Sequence, residues 1–316
     1  MNLRARCAHA IECEFAAKMA FKDPTITAYR LATLPLRWCA GAMLRRMSQM
    51  PVTGIFLHRI ADDNPNDWTI TTEQFDAMIE WLEANVDLVS LDEAQNRLRH
   101  GNRGRVAVNI SFDDGYADNC LHAIPMLIRK KIPFTYYVTT KHIKTGEPFP
   151  HDAELGQNQA PNSIDELRAM AEAGVELGAH TRTHANIGKL TELADIEYEI
   201  RGSREDLAEW IGYQPRHFAF PYGLAANLSD QAIQFLHDEG FESYCTAYGG
   251  YNFPQTHSPF HLRRFHGDPV LSRVKNWLSL DPRWMFAPPE PSYVPIEQSQ
   301  HNGIEKNQPT ASALAE

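Results

Sequence analysis

From Val52 onward, short apolar runs alternate with longer stretches in which apolar residues recur every three or four positions. The first pattern suits strands buried on both faces, the second amphipathic helices. VTGIFLH (52–58) reads as a strand and TEQFDAMIEWLEANV (72–86) as a helix, capped by Thr71 or Thr72. DLVSL (87–91) is a short strand and LDEAQNRLRH (91–100) a helix. RVAVNISF (105–112) carries the strongest strand pattern of the chain. Next come a helix over 118–131, the strand FTYYVTT (134–140) and a polar loop over 141–162. SIDELRAMAEAG (163–174) is a capped helix ending at Gly174, and VELGAH (175–180) a short strand running into a loop. Helices are expected over 191–212 and 229–240, strands at HFAF (217–220), FESYCTA (241–247) and HLRRF (261–265), and a last helix at PVLSRVKNWLSL (269–280).

Strands alternating with helices imply βα units around a mostly parallel sheet. About seven units can be traced, and a closed or nearly closed barrel fits them better than an open sheet. Residues 1–50 read as a helical extension to a domain at 51–286. The tail 287–316, rich in Pro, Gln, Asn and Ser and without apolar periodicity, reads as disordered.

With 316 residues, 43% hydrophobic and 22% charged, the chain suits one large α/β domain. A net charge of −10 argues against nucleic acid as its main partner. The charge is uneven, however. Residues 1–50 hold eight Lys and Arg against three acidic residues, a surplus of five, so the remainder carries fifteen negative charges. That basic start could dock on an acidic membrane surface, or simply be a solvated helix. Glu12, Glu14 and Lys18 interrupt any secretory apolar core, and Pro35 and Arg37 break the apolar stretch 31–44 well short of a membrane span. Five scattered cysteines without a CxxC pair read as the reduced thiols of a cytoplasmic protein.

In parallel βα folds, chemistry gathers at the carboxyl ends of strands. Four predicted strands end in polar, ligand-capable residues: Asp113-Asp114-Gly115, His180-Thr-Arg-Thr-His184, Pro221-Tyr222-Gly223 and His266. Two adjacent carboxylates need a reason to share a site, and a divalent metal supplies one. Asp113 could then act as a base while Asp114 binds metal. An HxxxH pair places two imidazoles on one face where the segment is helical. Two imidazoles with one carboxylate make a three-ligand site with positions left open, the layout of a catalytic zinc. His58, after the first strand, lines the same mouth or is packed at the strand end. Trp210 and Tyr222 are candidates for stacking on sugar rings, although helix core is the stronger reading for Trp210.

In this order SFDDG (111–115), HTRTH (180–184) and FAFPYG (218–223) resemble the motifs of the polysaccharide deacetylase family, carbohydrate esterase family 4, with its NodB homology domain. FLHRI (56–60), the run from VAVNISFDDGY to IPFTYYV, and LRAMAEAGVELGAHTRTH extend the resemblance over roughly residues 52–280. It implies a distorted (β/α)7 barrel that hydrolyses the N-acyl, most often acetyl, group of an amino sugar in a polysaccharide or glycan precursor. It makes Asp113 the general base, Asp114, His180 and His184 the ligands of a divalent metal, Zn2+ first among them, and the backbone N–H of Tyr222 part of an oxyanion hole. The general acid falls to His266, or more weakly to His261. The family's motif-three arginine is replaced here by Ala219, and Arg264 or Arg263 could stand in for it. Two other readings keep most of these residues: a deformylase or amidase acting on a lipid-linked sugar or small amide, and a non-catalytic glycan-binding relative.

Overall fold

Seven parallel strands close into a ring: β1 (Val52–Leu57), β2 (Ala107–Phe112), β3 (Phe134–Val138), β4 (Glu176–Ala179), β5 (His217–Ala219), β6 (Ser243–Thr246) and β7 (His261–His266). Each pairs with the next, and β1 pairs with both β2 and β7, which closes the barrel. The computed structural model describes residues 23–267 and 270–285. The expected tail at 287–316, and residues 1–22 of the basic extension, lie outside them. The short strand Asp87–Leu88 adds to β2 on the side that β3 continues. Strands β1, β2 and β3 are buried at every position, as covering a parallel sheet with helices requires.

The capping chemistry places the helices. Thr71 caps Thr72–Asn85 in a capping box with Gln74, Ser90 caps Leu91–His100, and Ser163 caps Ile164–Glu172 in a box with Glu166. Two expectations need correction. The helix expected over 118–131 is broken into a 3-10 turn, Ala117–Cys120, and a helix, Ala123–Lys130. The segment expected to be a polar loop carries the short helices Thr140–Thr145 and Pro150–Glu154. Pro150 at the first position starts the second of these, a cue that hydrophobic periodicity misses.

The described part of the extension is built into the fold. Its helices Asp23–Ala32 and Leu34–Arg46 lie against the helix Leu271–Trp277 and the chain after it. Tyr29 donates to Asp281 (3.0 Å), and buried Arg37 donates to the Asn276 carbonyl (2.9 Å) and side chain (2.6 Å). No helix among the described residues is long and apolar enough to cross a membrane.

Two histidines are sealed into the barrel wall as neutral bases. Burial lowers both His217 and His261 to about 3. Their unfolded forms titrate near 6.5, so in acid the unfolded chain takes up protons that the folded chain refuses. Stability is therefore expected to be full above pH 6.5 and to fall by about 1.4 kcal/mol per histidine for each pH unit below it. Calorimetric melting between pH 7.5 and 5 checks this; a flat profile would mean that both rings are protonated in the fold.

Candidate active site

All the strand-end residues singled out from the sequence sit at one end of the barrel, the carboxyl end of its strands. Asp113 and Asp114 follow β2, His180 to His184 follow β4, Pro221 to Gly223 follow β5, and His266 ends β7. HTRTH is an irregular loop and not a helix. Its two histidines converge because Thr181 and His184 adopt left-handed φ values of 65° and 60°. Asp114 (72°) and Tyr222 (61°) do the same. Four of the nine non-glycine residues with positive φ among those described therefore belong to this one site. Such conformations cost of order 1–3 kcal/mol each and persist only where the surroundings impose them.

Here the surroundings do so with hydrogen bonds. Glu199, buried in the helix Leu193–Ile211, accepts from the Arg182 and Thr183 backbone N–H groups (both 2.9 Å) and from the Thr183 hydroxyl (2.6 Å). It holds the loop that carries both histidines. The sequence offers one cue to it, a carboxylate on the inward face of an amphipathic helix.

Asp114, His180 and His184 bring one ligand atom each to within 4.8 Å of one another. His180 Nε2 lies 3.4 Å and His184 Nε2 3.2 Å from Asp114 Oδ1. His180 Nδ1 donates to the Ala219 carbonyl (2.7 Å), which leaves Nε2 as the lone-pair nitrogen facing the carboxylate. Asp114 Oδ1 is fully buried and accepts no hydrogen bond. Three converging electron-pair donors, one of them a buried oxygen without a donor, are what a divalent cation would satisfy.

Asp113 is held by Arg264. The guanidinium donates to both carboxylate oxygens (2.7 and 2.8 Å) and to the Ser111 hydroxyl (2.9 Å), and its Nε donates to the Thr246 carbonyl (3.2 Å). It lies 4.9 Å from the Phe56 ring centre and 5.5 Å from that of Tyr137. Gly54 sits opposite Arg264 in the β1–β7 register, and a Cβ there would meet Arg264 Cγ at 2.6 Å. The glycine in VTGIFL is the opening through which the arginine stem passes. Burial raises the Asp113 carboxyl, but Arg264 and His180 outweigh it and the net direction is down. The Arg263 side chain lies beside Gly250 instead, and Ala219 is fully buried in β5.

The remaining candidates divide. His266 packs beside Phe56, His58 and Trp68, with ring centres 5.0, 5.9 and 5.7 Å away. The His58 ring is desolvated and lowered to about 4, although Asp114 and Asp113 pull the other way. His261 begins β7 instead of ending it, with Nε2 2.8 Å from the Thr246 hydroxyl, so it does not reach the mouth. Trp210 is core, 8% exposed. Tyr222 stands out at the mouth, 58% exposed, its ring 5.0 Å from that of His184.

Motif reading missed a cluster beside Asp114. Tyr116 Oη lies 2.7 Å from His151 Nε2 and donates to buried Asp152 (2.8 Å), and His151 Nε2 is 3.9 Å from Asp114 Oδ2. His151 comes from the segment read as a polar loop, so no strand-end position pointed to it. Trp68, 41% exposed, was also missed.

The polysaccharide deacetylase family model matches residues 100–243 of this chain. Over 185 residues the chain is 26% identical to the poly-beta-1,6-N-acetyl-D-glucosamine N-deacetylase of Staphylococcus aureus, an overlap of 56% of this chain and 60% of that one. The chain thus spans about 60% of the length of the curated relatives it matches. Among solved structures, IcaB from Ammonifex degensii superposes with a TM-score of 0.60 at 21% identity, over 72% of this chain and 97% of that one. A Streptococcus pyogenes deacetylase, PplD, superposes with a TM-score of 0.61 at 16% identity, over 72% and 99%. These likenesses establish the fold, a (β/α)7 barrel of the deacetylase type.

Removing one partner of a buried ion pair leaves an uncompensated charge. Arg264→Ala is expected to cost about 3–5 kcal/mol in urea unfolding at pH 7. The loss should shrink in the double variant with Asp113→Asn. A single-variant cost within about 0.5 kcal/mol of zero would show that the pair is solvated.

Proposed function

We propose, from the premise that residues 100–243 belong to the polysaccharide deacetylase family, that this chain is a metal-dependent hydrolase removing N-acetyl groups from an N-acetylglucosamine polymer. The observation that carries the proposal is the pairing of a clamped, buried carboxylate, Asp113, with the three-donor cradle of Asp114, His180 and His184 beside it. The acetyl and N-acetylglucosamine assignments draw on the activity for which the Staphylococcus aureus relative is named.

Each residue has a task that its surroundings support. Asp113 takes a proton from the attacking water, and the two Arg264 hydrogen bonds keep it ionised and aimed. Asp114, His180 and His184 would hold the cation, with His180 oriented by the Ala219 carbonyl. A divalent cation bound there would polarise both the acyl carbonyl and the water. The left-handed turn at Tyr222 offers its backbone N–H to the oxygen on which charge develops, an interaction worth several kcal/mol in such sites. His266 delivers a proton to the leaving sugar amine, with His58 beside it kept neutral by burial. Exposed Trp68 and Tyr222 flank the opening and suit the apolar faces of sugar rings.

Zinc-loaded protein is expected to release acetate from β-1,6-linked N-acetylglucosamine oligomers, and Asp113→Asn to slow that release about a hundredfold or more while still binding zinc. His180→Ala should lose the bound zinc as well as the activity. Formate release from N-formylated sugars without acetate release would change the acyl group, and zinc binding with no hydrolysis would make the chain a binding protein. Trp68→Ala should raise KM roughly three- to tenfold with little change in kcat, the size expected for one aromatic contact.

A further inference from the structure

The helix Leu34–Arg46 buries only a narrow face. That face holds Ala40, Gly41 and Leu44 together with Arg37, whose guanidinium is consumed by Asn276, Ser279 and Thr33. Its outward side carries Leu36, Trp38 and Met43, 50%, 71% and 58% exposed, with Leu31 and Met47 at its two ends, 55% and 59% exposed. A surface helix normally keeps its outward side polar. Five of the thirteen large apolar residues that the described chain exposes fall within these seventeen positions.

Positive charge surrounds that apolar face. Between Pro24 and Gln49 there are four arginines and no acidic residue, in a chain whose net charge is −10. Beside the helix lies a cavity of about 420 Å3. Arg30 and Arg45 line it together with Trp38 and Trp81, beside Arg37, which is turned to Asn276 and Asp281, and Arg105, which is paired with Asp87; no carboxylate lines the cavity itself. Arg45 and Arg46 form no ion pair among the described residues.

We propose that this face is a docking surface for an anionic phospholipid bilayer. Trp38, Leu36 and Met43 enter the interface, the helix lies in its plane, and the arginine-lined cavity receives a lipid phosphate. Exposed tryptophan and methionine flanked by arginine suit the boundary between headgroups and acyl chains. Charge also disfavours a second copy as the occupant, since a two-fold contact would set the arginine patch against itself. Met50 and Val106 line the cavity, Met50 two residues before β1 and Val106 directly before β2, so the patch lies at the barrel end opposite Asp113. A docked molecule holds its site open to the aqueous side, which suits a polymer extending from the surface better than a lipid-linked sugar held within it.

The test is flotation of the full chain with phosphatidylcholine vesicles, with and without phosphatidylglycerol. The chain is expected to float with the anionic vesicles and not with the neutral ones. The double reversal Arg45→Glu, Arg46→Glu should weaken binding about tenfold or more, and Trp38→Ser with Met43→Ser should do likewise, with thermal melting and hydrolysis of soluble oligomers unchanged. In the wild-type chain, brominated lipid should quench a fluorescence component that Trp38→Phe removes, a reading that requires no destabilised variant. Millimolar inorganic phosphate should not release the chain. Failure to float with anionic vesicles would overturn the proposal. So would release by phosphate without dependence on Trp38, which marks a free-anion site, or a dimer that Trp38→Ser dissociates without any vesicle binding.

Discussion

The buried pair of Arg264 and Asp113 is the constraint around which this barrel is arranged. An arginine with no exposure at the centre of a protein is costly unless every N–H finds a partner. Here the carboxylate takes two donors, the Ser111 hydroxyl and the Thr246 carbonyl take others, and the Phe56 and Tyr137 rings lie close to the cation. Four strands, β1, β2, β3 and β6, thus contribute to holding one residue of the seventh. Ring closure between β7 and β1 puts Gly54 beside Arg264, and any larger residue there would block the stem. The same network that closes the interior fixes the carboxylate at the mouth in one orientation, the preorganisation that the base proposed for Asp113 calls for.

Around that rigid centre the loops carry strain. Asp114, Thr181, His184 and Tyr222 adopt backbone conformations that ordinary residues avoid, and Glu199 holds the loop between Thr181 and His184 while the Ala219 carbonyl orients the His180 ring. The benefit is convergence. Groups from β2, β4 and β5 reach one point that no single element could supply. The opposite end of the barrel is built differently, with the helices Asp23–Ala32 and Leu34–Arg46 sealed onto residues 276–281 by Arg37 and Tyr29 while apolar side chains are left outward. The (β/α)7 architecture thereby separates two surfaces that would interfere with each other if adjacent: a polar, acid-lined mouth and a basic, apolar patch.

The strand order, the helix starts at Thr72, Leu91 and Ile164, and the clustering of Asp113, Asp114, His180 and His184 at one barrel end were all legible in the sequence. Each of these depends on local chemistry: runs of buried β-formers, a Thr or Ser cap, and the rule that parallel strands deliver the residues at their carboxyl ends to a common rim. Short helices at Thr140–Thr145 and Pro150–Glu154 were not legible, because one and a half turns show no periodicity. His151 was hidden with them.

What the tertiary structure alone decided are relations between residues far apart in the chain. The choice of Arg264 over Arg263 as the partner of Asp113 spans 151 positions and turns on which face of β7 points inward. A one-residue difference in a strand reverses the side, and the sequence HLRRFH is equally apolar and basic on both. His261 and His266 were separated in the same way, by which end of β7 each occupies. The sequence determined which chemistry the chain carries, since residue types and their order after each strand are local properties. Which of those groups meet, and at what distance, was set by barrel closure, a cooperative outcome of packing all seven strands at once.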